Sequence, residues 1–229
     1  MHIAILLRGH IRRSTSANSC FNHEFIFNKT LNSFNENILQ SIQNIGHSYD
    51  IYASVKPSLI DLIDNIDFIK SYPFKEFVFN EGTTQYDDIM IGLQMIRNSE
   101  IQYDLIVITR IDFLYKTSFD KLEYKKDKFN FSWREPISDQ WICDNMYIFP
   151  QEYLEKIINI YENNKSRFGE TYFGQCGISQ LIIYTLGSDN INFMFNDKYY
   201  SGTNWNNIYC DNPLYIIYGY DYAFADIYQ

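Results

Sequence analysis

Positive charge is what this chain has least of. Its 19 Lys and Arg face 28 Asp and Glu over 229 residues, for a formal charge of −9. Phosphate-backbone affinity rests on clustered cations, so the charge balance argues against a nucleic-acid binder and leaves room for a local basic site. No Pro-, Gly- or Ser-rich stretch divides the chain, which favours one large domain, residues 1–229, over two small ones. The cysteines, Cys20, Cys143, Cys176 and Cys210, stand far apart with no C-x-x-C pair and no histidine at zinc-finger spacing. That argues against a structural metal and against a disulfide framework. No apolar run approaches the ~20 residues of a membrane span. Strand-like residues begin at His2, which leaves no room for a leader. A soluble, cytoplasmic protein is expected. Alanine is scarce while Asn and Ile abound, the mark of an AT-rich coding genome.

Apolar residues are plentiful instead. With Tyr 20 and Phe 18 there is ample material for a core, with tyrosines left over for a polar, aromatic cleft. The organising stretch is Tyr103 to Phe113. Leu105 to Ile108 is a continuous aliphatic block, the pattern of a strand buried on both faces. Such a strand cannot hold unpaired Arg110 and Asp112 in its core, because an isolated buried charge costs several kcal/mol. Both are expected at its carboxyl end, where open α/β sheets bind ligands.

The chain before it alternates. Strands are expected at His2 to Leu7, Asp50 to Val55 and Phe74 to Phe79. Helices are expected at Lys29 to Ile45, from Pro57 to about Ile69, and at Tyr86 to Ile96. Strand, helix, strand, helix, strand, helix, strand is the order of a doubly wound nucleotide-binding half, residues 1–112. The remainder, 113–229, reads as a second half of shorter elements and a tail. Short strands are expected at Phe113 to Tyr115, Phe129 to Trp133, Tyr147 to Phe149 and Ile191 to Phe195, with helices at Gln151 to Tyr161 and Gln175 to Leu186. Lys125 to Lys128 is a charge run of the solvated kind. The tail from Tyr199 has no clear period.

Arg8-Gly9-His10-Ile11-Arg12-Arg13 directly follows the first strand and is the one concentrated positive stretch. A strand, a glycine that permits close backbone approach and several cations make a plausible diphosphate cradle, although it is neither G-x-x-x-x-G-K-[ST] nor G-x-G-x-x-G. The alternative is a solvated turn whose arginines pair with the acidic surface.

The pattern Tyr-Asp-Leu-Ile-Val-Ile-Thr-Arg-Ile-Asp-Phe-Leu resembles the strand motif of GT-A-fold glycosyltransferases of bacterial polysaccharide clusters and giant viruses. Leu6 to Arg12 resembles the G-x-x-R that ends their first strand. Ser138-Asp139-Gln140-Trp141 resembles their D-Q-aromatic stretch, and Arg167-Phe168-Gly169-Glu170 falls where an acidic residue precedes the acceptor-side helix. The likeness covers Met1 to about Phe195 and implies a GT-A-like (Rossmann-like) α/β fold with a mixed, mainly parallel sheet flanked by helices. The implied activity is transfer of a sugar from a nucleoside-diphosphate donor to a glycan or small-molecule acceptor, in the cytoplasm, or a host's cytoplasm for a viral member.

In that reading Arg8, Gly9, His10, Arg12 and Arg110 face the donor, since guanidinium groups bind phosphate oxygens bidentately. Asp112 ligates Mn²⁺ or Mg²⁺, hard cations suited to carboxylate oxygen. Arg110 replaces the first Asp of the family's Asp-x-Asp, and the other reading of Arg110 with Asp112 is an ion pair. Asp139 is the first choice for the base, with Asp144 and Glu170 as second choices, and the alternative for Asp139 is a turn cap. Trp133, Gln140 and Trp141 are the acceptor-side residues. Nucleotidyl transfer, or a non-catalytic nucleotide-sugar or glycan-binding module, are the rival readings.

Overall fold

The computed structural model describes residues 1–13, 25–59, 61–80, 84–136, 142–167, 177–199 and 212–217. Eleven strands occur among them: β1 (His2–His10), β2 (Arg12–Arg13), β3 (Phe25–Ile26), β4 (Ser48–Lys56), β5 (Phe74–Phe79), β6 (Leu105–Arg110), β7 (Phe113–Tyr115), β8 (Phe129–Phe131), β9 (Tyr147–Phe149), β10 (Ile191–Phe193) and β11 (Tyr215–Ile217). The α-helices are α1 (Asn28–Phe34), α2 (Ser41–Asn44), α3 (Leu62–Ser71), α4 (Gln85–Asn98), α5 (Leu154–Asn163) and α6 (Ile178–Leu186). A π-helical segment, Asn35–Gln40, joins α1 to α2, so the single helix expected from Lys29 to Ile45 forms with one wider turn in its middle.

Seven strands make one mixed sheet in the order β10-β8-β9-β6-β1-β4-β5. β9 runs antiparallel to β6 and β8, and every other neighbouring pair is parallel. Helices cover both faces. Ile3, Ile5, Leu7, Ile51, Ala53, Leu105 and Val107 pack toward α1, α2 and α3, and Ala4, Leu6, Tyr52, Ile106 and Ile108 pack toward α4, α5 and α6. That double cover is why β1 and β6 are apolar at every central position rather than alternating. The fold is the α/β class expected from the sequence, a mixed, mainly parallel sheet flanked by helices.

The chain walks outward from β1 to β4 to β5, then α4 carries it back across β1 to β6. Thr84 starts α4 with a reciprocal cap, its hydroxyl accepting from the Asp87 backbone N–H while the Asp87 carboxylate accepts from the Thr84 backbone. Gly92 lets α4 lie directly on β1, since a Cβ there would come within 2.2 Å of the Leu6 side chain.

Three local differences follow from pairing that no short window encodes. Of the stretch after Leu7, expected as a loop, Arg8 to His10 extend β1 beside β4, and Arg12–Arg13 form β2, which pairs antiparallel with β3. The strands expected at Phe129 to Trp133 and Ile191 to Phe195 each stop two residues earlier. From the tail, in which no element was expected, Tyr215–Ile217 pairs antiparallel with β7.

Candidate active site

The strand order reverses between β1 and β6, and the crevice outside the carboxyl ends of those two strands is where such sheets hold ligands. Arg8 and Arg110 stand there in register on the adjacent strands. Gly9, next to last in β1 and opposite Val55 of β4, has a φ of +124°, a conformation side chains rarely adopt. His10 ends the strand opposite Lys56.

On the β6 side, Arg110 forms a two-pronged pair with Asp112. Nε donates to Oδ1 at 2.8 Å and Nη2 to Oδ2 at 2.6 Å, and Nη1 reaches Asn145 Oδ1 at 3.1 Å. Asp112 is 2% exposed, so the pair is held in low dielectric. Asn145 in turn donates to the Tyr215 hydroxyl at 2.6 Å, and the Tyr215 ring stacks on Phe113 at 3.8 Å. The late strand β11 is thus wired to the Arg110 pair.

Those contacts bear on the expected divalent ion. Both Asp112 oxygens already accept from a cation, and among the described residues no three His, Cys, Asp or Glu side chains converge on one point. The donor set among those residues does not fit Mn²⁺ or Mg²⁺ at Asp112, because a second cation would have to share the carboxylate with Arg110.

On the β1 side, Arg8 is 1% exposed. Its Nη1 donates to Gln85 Oε1 at 2.9 Å and its Nη2 to the Asp144 backbone carbonyl at 2.6 Å. Among the described residues its Nε, and the Oγ of Ser54 paired beside it on β4, have no hydrogen-bond partner. Gln85 Nε2 donates to Asp144 Oδ2 at 2.6 Å, and the Tyr86 hydroxyl approaches the same oxygen at 3.4 Å. Asp144 itself is half-buried, and among the described residues its hydrogen bonds fall on Oδ2 and none on Oδ1.

Nearby on α4, Asp88 is 1% exposed and accepts from Asn80 Nδ2 at 2.7 Å. Burial pushes its carboxyl up to about 6, against the opposing pull of the Asn80 hydrogen bond and of the Lys56 and Arg8 charges.

The structure therefore gathers Arg8, Gly9, Arg110, Asp112 and Asp144 at one sheet edge. Arg12 is turned elsewhere and bonds Asp64 of α3 at 2.9 Å. Trp133 is fully buried against Phe195, Tyr199 and Tyr215, so its ring offers no face to an acceptor, which corrects that expectation. Asp139, Gln140, Trp141 and Glu170 lie outside the described residues. Gln85 and Asp88 went unread in the sequence. Asp88 had left a signal, since with Gly92 and Met95 it forms a buried stripe at helical spacing that carries one charge.

A seven-stranded, mainly parallel sheet with paired arginines and carboxylates at its switch point defines the class: an α/β domain with a ligand crevice between β1 and β6. No family model matches the chain, and no curated protein matches it in sequence. Among solved structures, 4-diphosphocytidyl-2C-methyl-D-erythritol synthase from Anaerococcus prevotii aligns over 90% of this chain and 88% of its own, at 13% identity and a TM-score of 0.50. A glycosyltransferase involved in glycosylation of the major capsid of PBCV-1 aligns over 85% and 81% at 9% identity and a TM-score of 0.44. A cytidylyltransferase from Leptospira borgpetersenii aligns over 85% and 74% at 14% identity and a TM-score of 0.45. At such identities the likeness is one of fold. Among the described residues no helix is long and apolar enough to cross a membrane.

Proposed function

We propose that the protein is a glycosyltransferase that moves a sugar from a nucleoside-diphosphate donor to a glycan or small-molecule acceptor. One observation carries the reading: Arg8 and Arg110 are in register where the strand order reverses, with the carboxylate-bearing residues Asp144 and Asp112 beside them. A departing diphosphate needs positive charge at the sheet edge. Arg8 touches only neutral acceptors, so no contact carboxylate cancels its field. Arg110, whose side chain is 16% exposed, is the more open of the two guanidinium groups.

In this reading Asp144 Oδ1 takes the acceptor hydroxyl proton while the acceptor oxygen bonds the anomeric carbon. The bond from that carbon to the diphosphate oxygen breaks, and the electron pair leaves with the nucleoside diphosphate. Direct displacement of this kind inverts the anomeric centre. Nucleotidyl transfer is the second reading, favoured by the fold shared with the Anaerococcus synthase. The glycine-rich loop that reading calls for after the first strand is represented only by Gly9.

A thermal-shift screen against UDP-, GDP-, CMP- and dTDP-sugars, each with Mn²⁺, Mg²⁺ or EDTA, followed by product analysis, tests the proposal. Ligand at a hundred times its Kd raises stability by ~2.7 kcal/mol. The expected result is a shift with one donor that survives EDTA, with release of the nucleoside diphosphate. A shift lost in EDTA would put a metal at the site. Binding without turnover would mark a binding module, nucleotidyl products the second reading, and silence toward every donor would overturn the proposal.

A further inference from the structure

Arg8, Gln85 and Asp144 come from β1, the first turn of α4 and the loop before β9, yet they close into one ring. Arg8 Nη1 donates to Gln85 Oε1 at 2.9 Å, Gln85 Nε2 donates to Asp144 Oδ2 at 2.6 Å, and Arg8 Nη2 returns to the Asp144 carbonyl at 2.6 Å. The two ends of the amide face opposite demands. A guanidinium accepts nothing and so requires the oxygen, while an ionised carboxylate donates nothing and so requires the NH₂. Turning the amide over would set donor against donor and acceptor against acceptor. The backbone beneath Gln85 is held as well, because it directly follows the Thr84 cap.

We infer that Gln85 is a positioning residue that holds the Asp144 carboxylate by one oxygen and aims the other into the crevice. This inference rests on the reading of Asp144 as the base of the proposed transfer. Gln85 does not touch substrate. It acts through Asp144 in two ways: its N–H favours the ionised carboxylate, and its bond to Arg8 fixes which end of the amide meets that carboxylate. The other titratable groups facing Asp144 are Tyr86 on α4, Tyr147 on β9 and Tyr161 on α5. Burial drives the hydroxyls of all three upward, so they stay neutral in the acid range. Asp88 lies within the field of Arg8 and titrates near 6. It must therefore be silenced by Asp88→Asn as a background for the experiment.

In that background, ¹³C carboxyl titration is followed for the Asp144 signal, assigned by its loss in Asp144→Asn. Turnover of whichever nucleotide-sugar the screen selects is then measured against pH. Gln85→Leu removes the N–H. Gln85→Glu keeps an acceptor for Arg8 but sets a second carboxylate against Asp144, so it stands in should Gln85→Leu fold poorly. Either change is expected to move the Asp144 midpoint, and with it the acid limb of kcat, up by about one pH unit, a tenfold change in proton affinity. The drop in kcat should approach tenfold at the acid end of the profile and fade toward pH 8, with donor KM little altered. An unchanged titration in both variants overturns the role of Gln85 whatever the turnover assay gives. A shifted titration with a wild-type protein silent toward every donor overturns the transferase reading and leaves the hold of Gln85 on Asp144 standing.

Discussion

Arg8 and Arg110 occupy the same level of adjacent parallel strands, yet their surroundings differ in kind. Arg110 is gripped at two points by a carboxylate two residues along its own chain. Arg8 is more deeply buried and, among the described residues, meets only an amide oxygen and a backbone carbonyl, with no partner there for its Nε. The first arrangement cancels charge locally. The second leaves a cation whose compensation comes at a distance, from Asp88 and from the Asp144 carboxylate beyond Gln85. Neighbouring arginines thus divide the labour of the edge: one completes a self-contained pair, the other holds an unspent charge beneath the crevice.

The sharpest way to break the comparison is Asp112→Ala. It strands Arg110 without its carboxylate and should cost about 3–5 kcal/mol in urea unfolding. Replacing both partners with apolar residues, Arg110→Met with Asp112→Leu, should recover most of that loss, and equal costs for the single and double changes would show that Arg110 is not paired as described. Next in size is Arg8→Met, which leaves the Gln85 and Asp144 acceptors empty at about 1–3 kcal/mol. It should also weaken donor binding about tenfold by calorimetry, and undiminished affinity would deny Arg8 its role in the crevice.

Gly9→Ala should follow at about 1–2 kcal/mol, from the strain of a side chain at φ +124°. A thermal midpoint equal to wild type would mean that the end of β1 readjusts freely.

The smallest effect sharpens the Arg8 side. Folding raises Asp88 to about 6 from 3.8, so the folded state holds its proton more tightly than the unfolded chain. Stability from this group is fully present below pH 4 and is lost as pH rises through 6. Asp88→Asn should flatten that slope. Parallel stability–pH curves for variant and wild type would show that Asp88 does not feel its burial as described.

Much of this architecture was written locally. The aliphatic run Leu105 to Ile108 announced a strand covered on both faces, and charges directly behind it could only emerge at the strand end. The helical period of residues 29 to 45 survived even the intrusion of a π-turn. Trp133 and β11 were illegible for one shared reason. A three-residue strand has no period, and the ring of Trp133 is sealed by Phe195, Tyr199 and Tyr215, which lie more than sixty positions away in the chain. Asp144 was marked only as one carboxylate among several. Its distinction, one oxygen tied and one open, depends on Gln85 59 residues upstream.

The sequence by itself determined the alternation of strands and helices, the burial of β1 and β6, and the delivery of Arg8, Arg110 and Asp112 to one edge, because periodicity and the cost of burying charge act within a few residues. Only the tertiary structure decided which arginine is neutralised and which is not. Hydrogen-bond partners are chosen by what the packed sheet brings within 3 Å, and the loop before β9 and the first turn of α4 meet there only after the sheet has closed.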